Sequence, residues 1–163
     1  MSYLKLGHGC TRKSRKGIER QVVAQVIEPL GSHEIERWAE AMELLHKEVT
    51  EKIIGAAFEV FRVLGHGFLE RVYQRAMKVE LELRGVTAEL ESDIQVRYKG
   101  QIVGEFRGDI LANKCVLVEL KVAPELESRD EAQLLNELKA TGIKVGLLIN
   151  FGKHKAEFKR LVF

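Results

Sequence analysis

Two carboxylates and an ammonium interrupt segments that otherwise have the composition of buried strands. They lie in Phe106-Arg107-Gly108-Asp109-Ile110-Leu111 and in Val118-Glu119-Leu120-Lys121-Val122. A charge inside such a run is costly unless it is paired or bound to a metal. Two acids and an amine on neighbouring strands are also the groups that metal-assisted phosphodiester hydrolysis needs.

The spacing brings them together if the two segments form an antiparallel hairpin around Asn113, Lys114 and Cys115. Ala112 then opposes Val116, Ile110 opposes Val118 and Phe106 opposes Val122, which joins apolar positions. The same register sets Asp109 opposite Glu119, with Cβ atoms about 4.5–5.5 Å apart. Carboxylates that close repel unless a cation lies between them or one is protonated. Lys121, two residues beyond Glu119, projects from the same face. Hard oxygen ligands suit Mg²⁺ or Mn²⁺, held by Asp109 and Glu119 with the Leu120 carbonyl available. Lys121 is then placed to orient a water or offset transition-state charge. The residues fit equally a solvated cross-strand cluster in which Lys121 bridges two acids. The apolar Val116, Leu117, Val118 and Leu120 around them weigh toward the metal site.

The elements that must position these groups are legible from periodicity. Apolar residues recur at three- and four-residue steps from Val49 to Leu64, which predicts a helical segment from about Ser32, with a break, to Leu64. Gly65-His66-Gly67 closes it. A second helix fits residues 68–84, with Leu69, Val72, Tyr73, Ala76 and Met77 inward. The period then becomes two. Ile94, Val96 and Tyr98 alternate before a turn at Lys99-Gly100, and Ile102, Gly104, Phe106, Gly108 and Ile110 are expected to face one way. Val116, Val118, Leu120 and Val122 share one face of the next strand, and Cys115, Leu117, Glu119 and Lys121 the other. A helix over residues 129–141 buries Leu134, Leu135 and Leu138. Residues 144–150 form an almost continuous apolar run, as in a strand covered on both faces. A last strand carries Ala156, Phe158, Arg160 and Val162. The fold class is α/β (α+β), with a mixed β-sheet flanked by helices.

At 163 residues the chain is one domain's worth of core, and 45% hydrophobic with 31% charged residues is ordinary for a globular protein. A formal charge of +2 does not by itself announce a nucleic-acid binder. Arg12, Lys13, Arg15, Lys16 and Arg20 crowd the first twenty residues, as a solvated arm or a phosphate-binding tail. Cys10 and Cys115 suggest neither a disulfide framework nor a zinc site. No stretch approaches the ~20 apolar residues of a membrane span and no signal peptide is evident, so a cytoplasmic setting is the default. Residues 1–41 read as an N-terminal arm or extension. Met42 is a plausible start, so the leader need not be native. Residues 42–163 read as the domain.

Asp109, nine intervening residues and then Glu119-Leu120-Lys121 resembles the signature of the PD-(D/E)XK nuclease superfamily. Gly67-Phe68-Leu69-Glu70-Arg71-Val72-Tyr73 resembles the pattern that names its GxxExxY branch, a prokaryotic family. Glu131-Ala132-Gln133-Leu134-Leu135-Asn136 and Gly146-Leu147-Leu148-Ile149-Asn150-Phe151-Gly152 are similar to the same family. The resemblance implies a restriction-endonuclease-like αβββαβ core. It implies a Mg²⁺- or Mn²⁺-dependent nuclease acting on nucleic acid, with DNA and RNA both open. Asp109, Glu119 and Glu70 would be metal ligands, Lys121 the catalytic lysine, and Gln133 a residue near the active site. Read without the resemblance, Glu70 and Gln133 are surface residues and Tyr73 is core. Gly108 replaces the proline of the superfamily's name, and Glu137 stands where the family usually has tyrosine. A nuclease fold kept as a nucleic-acid- or protein-binding module is the alternative. A homo-oligomer is compatible with the sequence but not encoded in any motif.

Overall fold

The computed structural model describes residues 32–163. The basic cluster and Cys10 lie outside them. The chain divides into units of residues 1–39 and 40–163, so the boundary expected at residue 41 falls within α1 (Ser32–Leu44). There follow α2 (Lys47–Leu64), α3 (Glu70–Leu83), β1 (Ala88–Tyr98), β2 (Gln101–Ala112), β3 (Val116–Lys121), α4 (Ser128–Thr141), β4 (Val145–Phe151) and β5 (Ala156–Val162). The expected helix break falls at Leu45-His46, where His46 turns left-handed (φ 55°). The Arg160 guanidinium on β5 donates to the Met42 carbonyl just before the break and to the Leu45 carbonyl within it, at 2.9 and 2.7 Å.

The five strands run in spatial order β1-β2-β3-β4-β5. Only β3 and β4 are parallel, and α4 connects them. The sheet is therefore mixed, and it carries helices on both faces. On one, Ile53, Ala56 and Val60 of α2 and Tyr73, Met77 and Leu81 of α3 meet Ile110, Val118, Leu120, Leu147 and Ile149. On the other, Leu134 and Leu138 of α4 meet Leu117, Leu148 and Ile94. The uninterrupted apolar sequence of β4 follows from this sandwich, since every residue in it is buried. Among the described residues no helix is long and apolar enough to cross a membrane.

Close packing fixes α4 against β4. A Cβ on Gly146 would stand 3.0 Å from three atoms of the fully buried Leu134 side chain. Gly146→Ala should therefore destabilise the protein by about 1–3 kcal/mol, the usual cost of overpacking. Urea unfolding would measure it, and an unchanged midpoint would show that α4 can slide to make room.

The β2–β3 hairpin has the register inferred from sequence: Ile110 opposes Val118, Leu111 opposes Leu117 and Ala112 opposes Val116. The ladder stops there, so neither the Asp109–Glu119 pair nor the Phe106–Val122 pair forms as strand partners. The alternation of faces also departs from expectation. Ile110 belongs to the α2/α3 side, yet a Cβ on Gly108 would meet Leu117 and Ile94 on the α4 side, at 3.0 and 3.1 Å. The partner strand makes the same switch, because Leu90 packs on the α2/α3 side and Ile94 on the α4 side. Residues four apart in an uninterrupted strand share a face. The interruption lies at Asp109 and at Glu91, whose backbone is left-handed (φ 52°) between the pairs Leu90–Ile110 and Ser92–Gly108. The ribbon turns over at the position that carries the first acid.

Candidate active site

Asp109 sits where β2 changes face and β3 has left the ladder. Its Oδ2 accepts the backbone N–H of Leu120 at 2.7 Å, a bond from a side chain in place of a strand partner. From α3, Gln74 Nε2 donates to the Asp109 carbonyl at 3.1 Å and reaches Oδ1 at 3.4 Å. Glu70 lies one helical turn before Gln74, at the exposed start of α3. The two side chains share a helix face.

Glu119 and Lys121 point to α4, as two residues of one strand face should. Lys121 Nζ donates to Glu119 Oε1 at 2.7 Å and to Gln133 Oε1 at 3.2 Å. Gln133 Nε2 donates to the same Glu119 Oε1 at 2.7 Å and to Glu137 Oε1 at 2.9 Å. With both amide hydrogens on carboxylates, the Gln133 carbonyl has to face the ammonium. Glu119 and Glu137 are 4% and 2% exposed, and the second oxygen of each is buried without a hydrogen-bond partner. Such oxygens are rare in native proteins, and a cation or proton is the ordinary remedy.

The charges act on one another. Burial, then the Asp109 charge, push the Glu119 carboxyl up to about 7, against the opposing hydrogen bond from Lys121. Asp109 is raised by burial despite the Leu120 N–H, and Glu70 by burial and then by Asp109. Glu137 is raised by burial, with the Gln133 bond working against it. Burial disfavours the Lys121 ammonium, but Glu119, Glu70 and Asp109 outweigh this and hold its pKa above the usual lysine range. Four carboxylates thus share one ammonium, a cluster short of positive charge.

Among the described residues no three His, Cys, Asp or Glu side chains stand as a ready-made metal cluster. The donor chemistry nonetheless fits Mg²⁺ or Mn²⁺, which are held by one or two carboxylates, waters and substrate phosphate rather than by an all-protein cage. The unsatisfied Glu119 oxygen is the observation that supports the fit. Beside Asp109 opens a cleft of about 390 Å³ lined by Glu70, Arg71, Gln74, Glu91 and Arg107. Arginines at such a rim suit phosphate oxygens.

All five residues singled out from sequence fall in this region. Asp109 interacts with Glu119 and Lys121 through its charge, but its hydrogen bonds run to Leu120 and α3 while theirs run to each other and to α4. Gln133 is exposed as a residue and still bonds both Glu119 and Lys121. Glu70 interacts through its charge rather than through a hydrogen bond. Tyr73 is core: its ring stacks on Phe151 at 4.3 Å and its hydroxyl donates to the Gly65 carbonyl at 2.8 Å. Sequence reasoning missed Gln74, although its place four residues after Glu70 was a usable signal. It also missed Asn150, buried opposite Lys121 on β4, whose amide holds the Ala123 N–H and carbonyl at 2.9 Å each and so fixes the exit of β3.

Residues 47–161 match the PD-(D/E)XK nuclease superfamily, and the chain belongs to it. The mixed sheet with flanking helices is its restriction-endonuclease-like fold, and nucleases of the superfamily generally use divalent metals. No curated protein matches the sequence. Among solved structures, the crystal structure of SSO0001 is similar at a TM-score of 0.47 and 14% identity, over 57% of this chain and 50% of that one. The likeness thus spans half of that chain's length and is too distant to bear on function.

Proposed function

We propose that this protein is a metal-dependent nuclease that hydrolyses phosphodiester bonds, with its active centre at Asp109, Glu119 and Lys121. The observation that carries the reading is the buried Glu119 carboxylate, one oxygen of which has no hydrogen-bond partner, facing an excess of negative charge. Gly67, Glu70 and Tyr73 support the finer assignment to the GxxExxY branch.

Mg²⁺ or Mn²⁺ bound by Asp109 and Glu119, with Glu70 at hand, would polarise the phosphate and acidify a bound water. The chain's own groups do the rest. The Leu120 N–H and Gln74 fix the Asp109 carboxylate, so its reorganisation on substrate binding is small. Gln133 holds Glu119 and Lys121 at once, which keeps the ammonium beside the reacting phosphate. There Lys121 orients the attacking water or neutralises charge developing on the equatorial oxygens. Arg71 and Arg107 line the cleft, and Arg107, which lies 3.4 Å from both Glu91 and Asp93, would turn to the phosphate oxygens of a DNA or RNA chain.

The test is cleavage of mixed single- and double-stranded DNA and RNA with Mg²⁺ or Mn²⁺. Activity should vanish with chelator and fall by ~10²–10³ or more in Asp109→Ala, Glu119→Ala and Lys121→Ala. Nucleic-acid binding without turnover, unchanged by these substitutions, would instead mark a binding module on a nuclease fold.

A further inference from the structure

Helix α3 is apolar on two sides. Tyr73, Met77 and Leu81 are fully buried against the sheet. A second row, Leu69, Val72, Ala76, Val79 and Leu83, follows steps of three, four, three and four around the other side. Leu69, Val79 and Leu83 are 80%, 59% and 77% exposed, and Val72 is exposed as well. Isolated exposed leucines and valines are ordinary. A row at this spacing is different: it is the seam that a second helix packs into. No feature of the acid cluster requires it, since the active-site residues of α3 are Glu70 and Gln74.

The charges beside the seam indicate the partner. Arg75 and Glu82 are exposed on the same flank, and Glu82 makes only a 3.8 Å surface contact with Lys78. When two copies of α3 pack antiparallel about a two-fold axis with Ala76 against Val79, the flanking geometry brings Arg75 of each copy to Glu82 of the other. Both contacts are attractive, and symmetry supplies the pair twice. A parallel arrangement would instead direct Arg75 of each copy to Glu80 of the other, a carboxylate already held by Arg84 at 2.8 Å. The antiparallel direction therefore disturbs only the 3.8 Å Lys78–Glu82 contact, where the parallel one would compete with a 2.8 Å ion pair.

We infer that the outer face of α3 is a homodimer interface, closed by a second copy of this chain in antiparallel orientation. The seam is about 20 Å long. Its ends carry the two Glu70 residues, so dimerisation would set the two clefts at opposite ends of the seam, related by the two-fold. An interface this small sits below about 1,200 Å², and a dissociation constant on the order of 10 µM is expected.

Sedimentation velocity of the full chain up to roughly 100 µM, well above that constant, tests the inference. The wild type should be a reversible dimer. Val79→Glu with Leu83→Glu should give a monomer with unchanged circular dichroism and melting, since both side chains face solvent. Arg75→Glu should weaken association about tenfold, and adding Glu82→Arg should restore it. A wild-type monomer overturns the inference and leaves the face to another occupant. A dimer indifferent to Val79→Glu/Leu83→Glu overturns it too. Failure of the charge swap to restore affinity overturns the antiparallel register. None of these readouts depends on catalysis.

Discussion

Glu119→Gln is expected to abolish cleavage while making the folded protein more stable at pH 8 by about 3 kcal/mol. The carboxyl titrates near 4.5 in the unfolded chain and at about 7 in the folded one, because burial and the Asp109 charge disfavour its ionised form. Below pH 4.5 it is protonated in both states and contributes nothing. Between 4.5 and 7 the unfolded chain has lost the proton that the folded one retains, so stability falls as pH rises. Above 7 the full cost persists, and a difference of roughly two and a half pKa units corresponds to about 3 kcal/mol. Glutamine removes the titration and keeps the shape. Urea unfolding of both proteins at pH 4 and pH 8 should show near-identical stability at the lower pH and a gap at the higher. Equal stability at pH 8 would sink the view of Glu119 as a strained carboxylate. A divalent cation that binds only the folded site should narrow the gap by stabilising the wild type.

That strain was visible in the sequence only as residue types in the wrong place. The hydrophobic pattern of β3 and the three-residue loop at Asn113 determined the β2–β3 register, because any slip would turn Val116, Val118 and Leu120 away from α2 and α3. The almost continuous apolar run at 144–150 determined a strand covered on both faces, because it leaves no polar side to turn to water. The turnover of the β1–β2 ribbon at Asp109 was not legible. It depends on a left-handed backbone at Glu91, and glutamate has no intrinsic preference for that region. Periodicity carried across it therefore put Gly108 on the face of Ile110. The hydrogen bond from the Leu120 backbone to Asp109 was hidden similarly, since no side-chain type announces a backbone donor freed by the end of a ladder. Glu137 was partly legible: four residues after Gln133, it had to lie on the same helix face. Its burial, to 2% exposure, comes from tertiary packing around α4, which helix periodicity alone does not state.

The counterpart of Glu119 should behave in the opposite way. Lys121→Met is expected to abolish cleavage and also to destabilise the protein at pH 8, because it removes the ammonium that Glu119, Glu70 and Asp109 share. Breaking a buried ion pair by removing one partner costs about 3–5 kcal/mol. The Lys121 side chain is 22% exposed, so water screens part of the loss and about 2 kcal/mol is expected. Without the lysine the Glu119 pKa rises further, and this part of the damage should fade as pH falls through about 7, where the folded carboxyl is protonated with or without Lys121. The double variant Glu119→Gln/Lys121→Met removes the orphaned charge with its partner. Made in the Glu119→Gln background, Lys121→Met should cost much less than the ~2 kcal/mol it costs the wild type, a strongly non-additive result for two groups in direct contact. Cleavage should stay absent in all three variants. If Lys121→Met costs as much in the Glu119→Gln background as in the wild type, Lys121 is held by packing of its stem. The charge balance drawn for this site would then be wrong, whatever the nuclease assay shows.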